Sequence, residues 1–355
     1  MGQGRLMAGI RANDACSRRT FLKGAFTLGL TGLAGINRES WSLPRTVEAM
    51  LVPVMLTPFR EDLSVDTYGV EKLIAFYRQS GAGGLFANCL SSEMYQLNRQ
   101  EQLHIAALTV KQAGSDIPVV ATGSFGENLE EKIRCTEQMA ETGVDSVVLI
   151  TSHFADKGQD NRVFLEQLLA LVDRTPGIPL GTYECPSPYK RLLSASAFRT
   201  LMETQRFTYH KDTSEDMGQL IQKIEISKGG AYKVFNAHSG TAVPFIQAGG
   251  SGLSPIAGNF FPELFSWICD HANEPALSAQ LAFMQQELIR AEKIVSLKYP
   301  LSAKYFLQKR GLPVQVNSRA RRTELTKSEI AALDDLYREF KRWCSDLDIP
   351  LTKLN

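Results

Sequence analysis

Metal-binding and redox signatures are missing from this chain. Its six cysteines include no C-x-x-C pair, and their spacings match no zinc template. The five histidines are scattered, and no H-E-x-x-H occurs. These absences argue against a metal enzyme and against a disulfide scaffold. No Walker loop is present. Gly81-Ala-Gly83-Gly84 departs from G-x-G-x-x-G and reads as a turn between a helix and a strand. The formal charge is only +1, which leaves no electrostatic footprint for nucleic acid. The basic cluster Arg319, Arg321 and Arg322 is short and reads as a solvated loop. No apolar run reaches the ~20 residues needed to span a bilayer.

What is present begins with an address. Ser17-Arg18-Arg19-Thr20-Phe21-Leu22-Lys23 precedes a short, glycine-rich, weakly apolar run from Gly24 to Ile36. This layout matches a twin-arginine export signal. It predicts a signal peptide and linker over 1–45, recognition by the twin-arginine translocase, and a periplasmic or otherwise exported protein. Such substrates cross already folded. Folding in a reducing compartment agrees with the lack of a disulfide pattern.

From about residue 50 the pattern alternates between short β-rich runs and longer amphipathic stretches. Strands are predicted over 50–57, 84–89, 117–123, 145–151, 178–183, 207–211, 232–236 and 252–256. Helical spacing fills the gaps, as in Leu103, Ala106, Ala107 and Val110. Asn98-x-x-Glu101 and Thr326-x-x-Glu329 have the form of capping boxes. Eight strands at this spacing predict an α/β fold, a (β/α)8 TIM barrel over 46–272, with a helical extension over 273–355 packed on it. An open doubly wound sheet is the alternative. In a barrel the chemistry sits at the C-terminal ends of the strands.

The sixth strand reads Phe207-Thr-Tyr209-His-Lys211. Period-two alternation puts Phe207, Tyr209 and Lys211 on the barrel's inner face and turns His210 toward the helices as a structural residue. Lys211 then ends in the barrel mouth. Apolar surroundings lower a lysine's pKa, and the neutral amine is the form that attacks a ketone. The competing reading pairs Lys211 with Asp212 or Glu215, or lets it reach the rim. Tyr183 ends the neighbouring strand, where a phenol can pass protons or simply pack. Ser91 and Ser92, in the turn after the second strand, offer hydroxyls to a carboxylate.

Tyr183-x-x-Pro-Ser, followed about one strand–helix unit later by Lys211-Asp-Thr-Ser, resembles the dihydrodipicolinate synthase / N-acetylneuraminate lyase family. Thr57-Pro58-Phe59, Leu90-Ser-Ser-Glu93, the segment from Gln247 to Asn259, and Tyr299-Pro300 with Lys304 agree with it. The likeness covers about 50–335. It implies no metal and no organic cofactor, and a homo-oligomer, commonly a tetramer. It implies a Schiff base between Lys211 and pyruvate or a similar 2-oxo acid. Tyr183 would then shuttle protons, and Ser91 would hold the carboxylate. Leu90, Ser92, His153, Phe154 and Ile256 are the further candidates for substrate contact.

The chain also departs from the family pattern. Leu90 replaces the first hydroxyl of the strand-two motif, and Cys89 and Ser92 replace its glycines. Phe154 stands where the family has its second relay tyrosine, with His153 beside it as a substitute in proton transfer. Pro188 stands where the synthase has an arginine. These changes argue against lysine biosynthesis and favour an exported carbon–carbon lyase on a 2-oxo sugar acid. A Schiff-base dehydratase or hydratase is one alternative, and a non-catalytic binding protein the other. Cys89 and Cys185 are expected to line the mouth as apolar surface.

Overall fold

A computed structural model describes residues 49–353. The twin-arginine motif and the leader expected over 1–45 lie outside the described residues.

Eight parallel strands curl into a (β/α)8 barrel. They are β1 (Met50–Leu51), β2 (Leu85–Ala87), β3 (Val119–Thr122), β4 (Ser146–Ile150), β5 (Leu180–Tyr183), β6 (Phe207–Asp212), β7 (Lys233–Asn236) and β8 (Gly252–Leu253). The hydrogen-bonded order is β1-β8-β7-β6-β5-β4-β3-β2. Val54 pairs with Phe86 across the remaining gap. Met55 N–H donates to the Phe86 carbonyl at 3.0 Å, and Phe86 N–H donates to the Pro53 carbonyl at 3.0 Å. The ring is thereby closed.

Every strand but β6 is shorter than the sequence predicts, β1 and β8 most of all. Pro53 has no N–H to offer the ladder and interrupts β1, while Pro255 follows β8 and opens a 3-10 turn over Ile256–Asn259. Gly252 sits where β8 presses against β1. A Cβ there would lie 2.1 Å from the Met50 carbonyl oxygen, so no larger residue fits.

Burial separates into two layers, as strand alternation demands. Inward-facing Val52, Phe86, Val120, Val148, Tyr183, Tyr209 and Phe235 fill the barrel. The outward faces pack against helices in a larger core. Phe207 belongs to that outer core and not to the inner face expected for it. The cause is a register shift: Leu180 pairs with Phe207 but Gly181 pairs with Tyr209, so β6 carries one extra residue.

The helices follow the strands in turn: α1 (Thr67–Gln79), α2 (Arg99–Ala113), α3 (Leu129–Ala140), α4 (Asn161–Arg174), α5 (Ala195–Glu203), α6 (Met217–Ser227), α7 (Ala242–Gln247) and α8 (Pro262–His271). Three more form the C-terminal extension: α9 (Ser278–Val295), α10 (Leu301–Lys309) and α11 (Lys327–Asp346). Both expected capping boxes form, at Asn98/Glu101 on α2 and Thr326/Glu329 on α11. Phe261 contacts Phe306, Phe340 and Trp343, which pins the extension to the barrel. Truncating a buried Trp343 to alanine would cost about 3–5 kcal/mol.

The basic cluster is not simply a solvated loop. Arg319 donates to both Glu101 carboxylate oxygens at 2.7 Å and lies over the Phe59 ring. Arg321 donates to the Tyr299 carbonyl at 2.7 Å. Glu93, in left-handed backbone conformation at φ 57°, receives Lys304 at 2.9 Å, Ser318 at 2.7 Å and the Ala320 N–H at 2.9 Å. The segment after α10 is thus tied to the turn after β2.

Candidate active site

Strands β5 and β6 place the central pair. Tyr183 and Lys211 are register partners at the C-terminal ends of the two strands. The Lys211 amine sits 4.8 Å from the centre of the Tyr183 ring and 5.8 Å from that of Phe86. It is 3% exposed. Burial lowers its pKa from the usual lysine range to about 8, against a smaller opposing pull from Cys89 and Cys185. Neither acidic neighbour in sequence neutralises it. Asp212 pairs with Lys223 at 2.5 Å, and Glu215 pairs with Lys190 at 3.3 Å. The mouth therefore holds an amine that is substantially neutral near pH 8.

Tyr183 is buried, and burial is the main reason its hydroxyl stays firmly protonated. The hydroxyl interacts with the Cys185 thiol, two residues along. The same thiol interacts with the hydroxyl of Tyr95. Cys185 itself is fully buried in the cluster of inward-facing side chains. Cys89 is fully buried among the barrel's inward side chains.

The turn after β2 is built by a hydrogen-bond network. Ser92 Oγ donates to the Met55 carbonyl at 2.6 Å and accepts the Cys89 N–H at 3.1 Å. Ser91 is left facing the mouth. Asn259 gives one amide proton to the Val54 carbonyl at 2.9 Å and the other to Tyr299 Oη at 2.7 Å, and it accepts from Tyr77. Tyr299 is also hydrogen-bonded to Ser91. Ser91 meets the Tyr299 oxygen and lines the mouth, where its hydroxyl can turn to an incoming anion. Leu90–Ser92 form a 3-10 turn, and the opening N–H groups of such a turn have no partner inside it.

A cavity of about 600 Å³ lies over these groups. Lys211, Tyr183, Ser91, Leu90 and Ile256 line it, so five of the expected residues share one wall system. Tyr95, Lys190, Glu215, His238, Glu292, Tyr299 and Arg321 are among its other lining residues. Ser92, His153 and Phe154 do not line it. Ser92 is used up inside the turn. Phe154 is buried in the outer core between barrel and helices. His153 is turned toward Ser124, with Nδ1 at 2.8 Å from the Ser124 carbonyl oxygen and Nε2 at 3.0 Å from Tyr95 Oη. Burial lowers the His153 pKa to about 4, which leaves the imidazole neutral at pH 7.

On the outer side of β5 and β6 a second polar cluster is enclosed. Glu184, His210 and Asp212 place ligand atoms within 4.8 Å of one another, a spacing a metal ion can use. Lys223 from α6 already supplies the cation there, 2.6 Å from Glu184 and 2.5 Å from Asp212. His210 Nδ1 shares a hydrogen bond of 2.8 Å with Thr182, and its ring packs on Phe198. The cluster is a buried ion network of the barrel wall, and His210 holds the structural position expected for it.

Comparison with known proteins fits this geometry. Residues 48–339 match the family model described as the dihydrodipicolinate synthetase family. The chain belongs to that family. Two 4-hydroxy-tetrahydrodipicolinate synthases are among its relatives. The one from Methanosarcina acetivorans is 26% identical over 242 residues, covering 68% of this chain and 81% of the relative. The one from Bacillus velezensis is 25% identical over 262 residues, covering 73% and 88%. Among solved structures, a prophage protein of the dihydrodipicolinic acid synthase family from E. coli K12, in complex with pyruvate, superposes with a TM-score of 0.73. It is 22% identical, with 82% of this chain and 98% of that one covered. A monomeric dihydrodipicolinate synthase variant gives a TM-score of 0.74 at 16% identity, covering 84% and 98%. These two show the shared fold.

As a dihydrodipicolinate synthetase family member, the chain is of the lyase and aldolase type. Sequence reasoning missed Tyr95, Tyr299, His238 and Glu292 at its cavity. Tyr95 follows the Leu90–Glu93 motif by two residues, and Tyr299 lies in the Tyr-Pro pair already singled out; both were findable by proximity. His238 and Glu292 carry no local signal, because α9 approaches β7 only in the folded chain.

Proposed function

We propose that the protein is an exported lyase that forms a Schiff base between Lys211 and a 2-oxo acid. One observation carries the reading: a buried amine with no carboxylate partner among the described residues faces a cavity beside a phenol and a serine hydroxyl. The neutral nitrogen adds to the carbonyl carbon, and the amine's proton passes to the former carbonyl oxygen. A proton from Tyr183 then lets that oxygen leave as water, giving the protonated imine. The imine accepts the electrons of the neighbouring carbon–carbon bond as that bond breaks. The hydroxyl on the departing carbon gives its proton to the Tyr183 phenolate, and an aldehyde leaves. The enamine takes a proton at carbon, and water releases the shortened 2-oxo acid. Ser91 donates to the substrate carboxylate throughout.

The cavity suits a substrate longer than a three-carbon acid, since its volume falls within the ~300–1,000 Å³ common for small-molecule sites. Its wall also carries His238 Nδ1 and Glu292 Oε2, both buried and without a hydrogen-bond partner among the described residues. Such groups suit hydroxyls. Lys190 is already paired with Glu215, while Arg321 gives its Nε–H to the neutral Tyr299 carbonyl and keeps its charge at the cavity wall. The two unpartnered groups support a 2-oxo sugar acid.

Borohydride trapping tests the reading. The protein is incubated with pyruvate, reduced, digested and analysed by mass spectrometry. An adduct on Lys211 is expected. Its absence with pyruvate and with longer 2-oxo acids would remove the imine chemistry. Product NMR with a 2-oxo sugar acid then checks for two carbonyl fragments. Export is tested separately by cell fractionation, with Arg18→Lys/Arg19→Lys expected to hold the protein in the cytoplasm.

A further inference from the structure

We infer that Glu292 of α9, together with His238, determines specificity in the cavity by binding a hydroxyl on the substrate chain beyond the reacting ketone. The inference rests on the imine reading above and adds which way the chain runs and what it carries. On that reading Lys211 takes the carbonyl carbon and Ser91 the carboxylate. The rest of the substrate then runs along the cavity wall, and two sides of that wall differ in what they offer.

Toward β4 the polar groups are already spent. Tyr95 reaches across from the turn after β2, and its Oη lies 2.7 Å from the Ser187 carbonyl oxygen and 3.0 Å from His153 Nε2. His153 is held in turn, with Nδ1 2.8 Å from the Ser124 carbonyl oxygen. The Phe125 ring packs edge-on against Tyr95, with centroids 5.8 Å apart. A substrate chain directed this way would meet an aromatic face whose hydroxyl is occupied.

Toward β7 the wall is just as firmly built, but its polar groups are unspent. The His238 N–H donates to the Asn236 side chain at 2.9 Å, which ties the turn to the end of β7. A Cβ at Gly240 would lie 2.5 Å from His238 Cε1, so the ring rests on bare backbone. Gln285 clamps α9 onto the same turn: its amide donates to the Ser239 carbonyl at 3.0 Å and accepts the Val243 N–H at 2.9 Å. Glu292 follows about two helical turns later on the same face and so enters the cavity wall from the C-terminal extension. Among the described residues, neither Glu292 Oε2 nor His238 Nδ1 has a hydrogen-bond partner, although both atoms are buried. Unpaired polar atoms in a buried wall are costly, and a ligand group that pairs them recovers the cost. A hydroxyl does this. It gives its proton to the carboxylate oxygen, which can only accept, and takes one from the imidazole N–H. An apolar tail leaves both atoms unpaired, and a distal carboxylate has no proton for Glu292 and is repelled by it.

Borohydride trapping of the Lys211 adduct, titrated with three acids of equal chain length, tests the inference. The acids are 2-oxohexanoate, 2-oxoadipate and 5,6-dihydroxy-2-oxohexanoate. The last lacks the 4-hydroxyl that carbon–carbon cleavage needs, so its adduct accumulates. It is expected to half-saturate at ~10-fold lower concentration than 2-oxohexanoate, the low end of what a hydrogen bond to a charged group supplies, and 2-oxoadipate to bind more weakly than either. Glu292→Leu and His238→Leu are each expected to shrink the ratio between the dihydroxy and plain acids at least threefold. Glu292→Gln is expected to keep part of it, because the amide oxygen still accepts. A merely structural fault would weaken all three acids alike and leave the ratio where it was. Equal half-saturation of the dihydroxy and plain acids within twofold, tightest binding of 2-oxoadipate, or a ratio unchanged in both leucine variants would overturn this inference while the imine stands. Absence of any adduct in the wild-type protein, with pyruvate included, would sink the imine reading, and this inference with it.

Discussion

Lys211 and Tyr183 occupy the same level on adjacent strands, and the amine lies 4.8 Å from the phenol ring centre. The strand pairing fixes this distance, so neither group depends on a flexible loop for its place. Phe86 meets the Tyr183 ring edge-on at 5.6 Å and limits its rotation from the far side. The pair is pre-organised before any ligand arrives.

Placing an amine there is costly to the fold. A lysine whose folded pKa lies near 8, against 10.5 unfolded, binds fewer protons when folded. That difference destabilises the native state by about 3 kcal/mol at pH 7, at 1.36 kcal/mol per pKa unit. The penalty is full below pH 8 and fades as pH rises toward 10.5. Lys211→Met is therefore expected to raise the melting temperature at pH 7 while abolishing adduct formation, measured by calorimetry and by trapping.

The same shift sets a pH profile. Below about pH 8 the neutral amine should fall tenfold per pH unit, and the initial rate of trapped adduct with it. Above that value the rate should level off. A profile rising instead through pH 10.5 would mean an unperturbed amine.

Ser91→Ala is expected to weaken the concentration dependence of trapping by roughly 10–150-fold, the range that corresponds to losing ~1.5–3 kcal/mol from a hydrogen bond to a charged group. Ser92→Ala should affect stability more than ligand affinity, because its hydroxyl bonds the Met55 carbonyl and not the cavity. Titrating each variant with pyruvate distinguishes the two serines.

Lys223→Met removes the cation shared by Glu184 and Asp212 and is expected to cost about 3–5 kcal/mol. Burial pushes the Asp212 carboxyl up, but His210 and Lys223 outweigh it and hold the group well below the usual carboxylate range. Its contribution is present above the ordinary aspartate pKa and is lost as pH falls. The stability gap between wild type and variant should therefore narrow in acid, which melting curves from pH 7 downward would show.

Much of this architecture was legible in the residues. Strand spacing predicted the barrel, and the alternation Tyr209-His-Lys211 correctly sent the lysine inward and the histidine outward. Alternation failed at Phe207 because a register shift between β5 and β6 is a tertiary event with no local signature. The strand-two motif marked Ser91 but could not separate it from Ser92; the carbonyl of Met55, 37 residues earlier, claims the second hydroxyl. His153 was singled out for the right neighbourhood, yet it meets Tyr95 and not the cavity. Side chains brought by distant elements, such as Glu292 from α9, become readable only when the chain has folded.

The ammonium of Lys223 has one further consequence. Glu184 and Asp212 are sequence neighbours of Tyr183 and Lys211, and left bare they would bias the amine toward its charged form. On the opposite face of the wall they share the Lys223 ammonium, and Glu184 also takes the N–H groups of Leu193 and Thr213. The strands can then carry acids and an electrophile-seeking amine in alternate positions without crosstalk. The barrel wall works here as an insulator between two electrostatic compartments one residue apart.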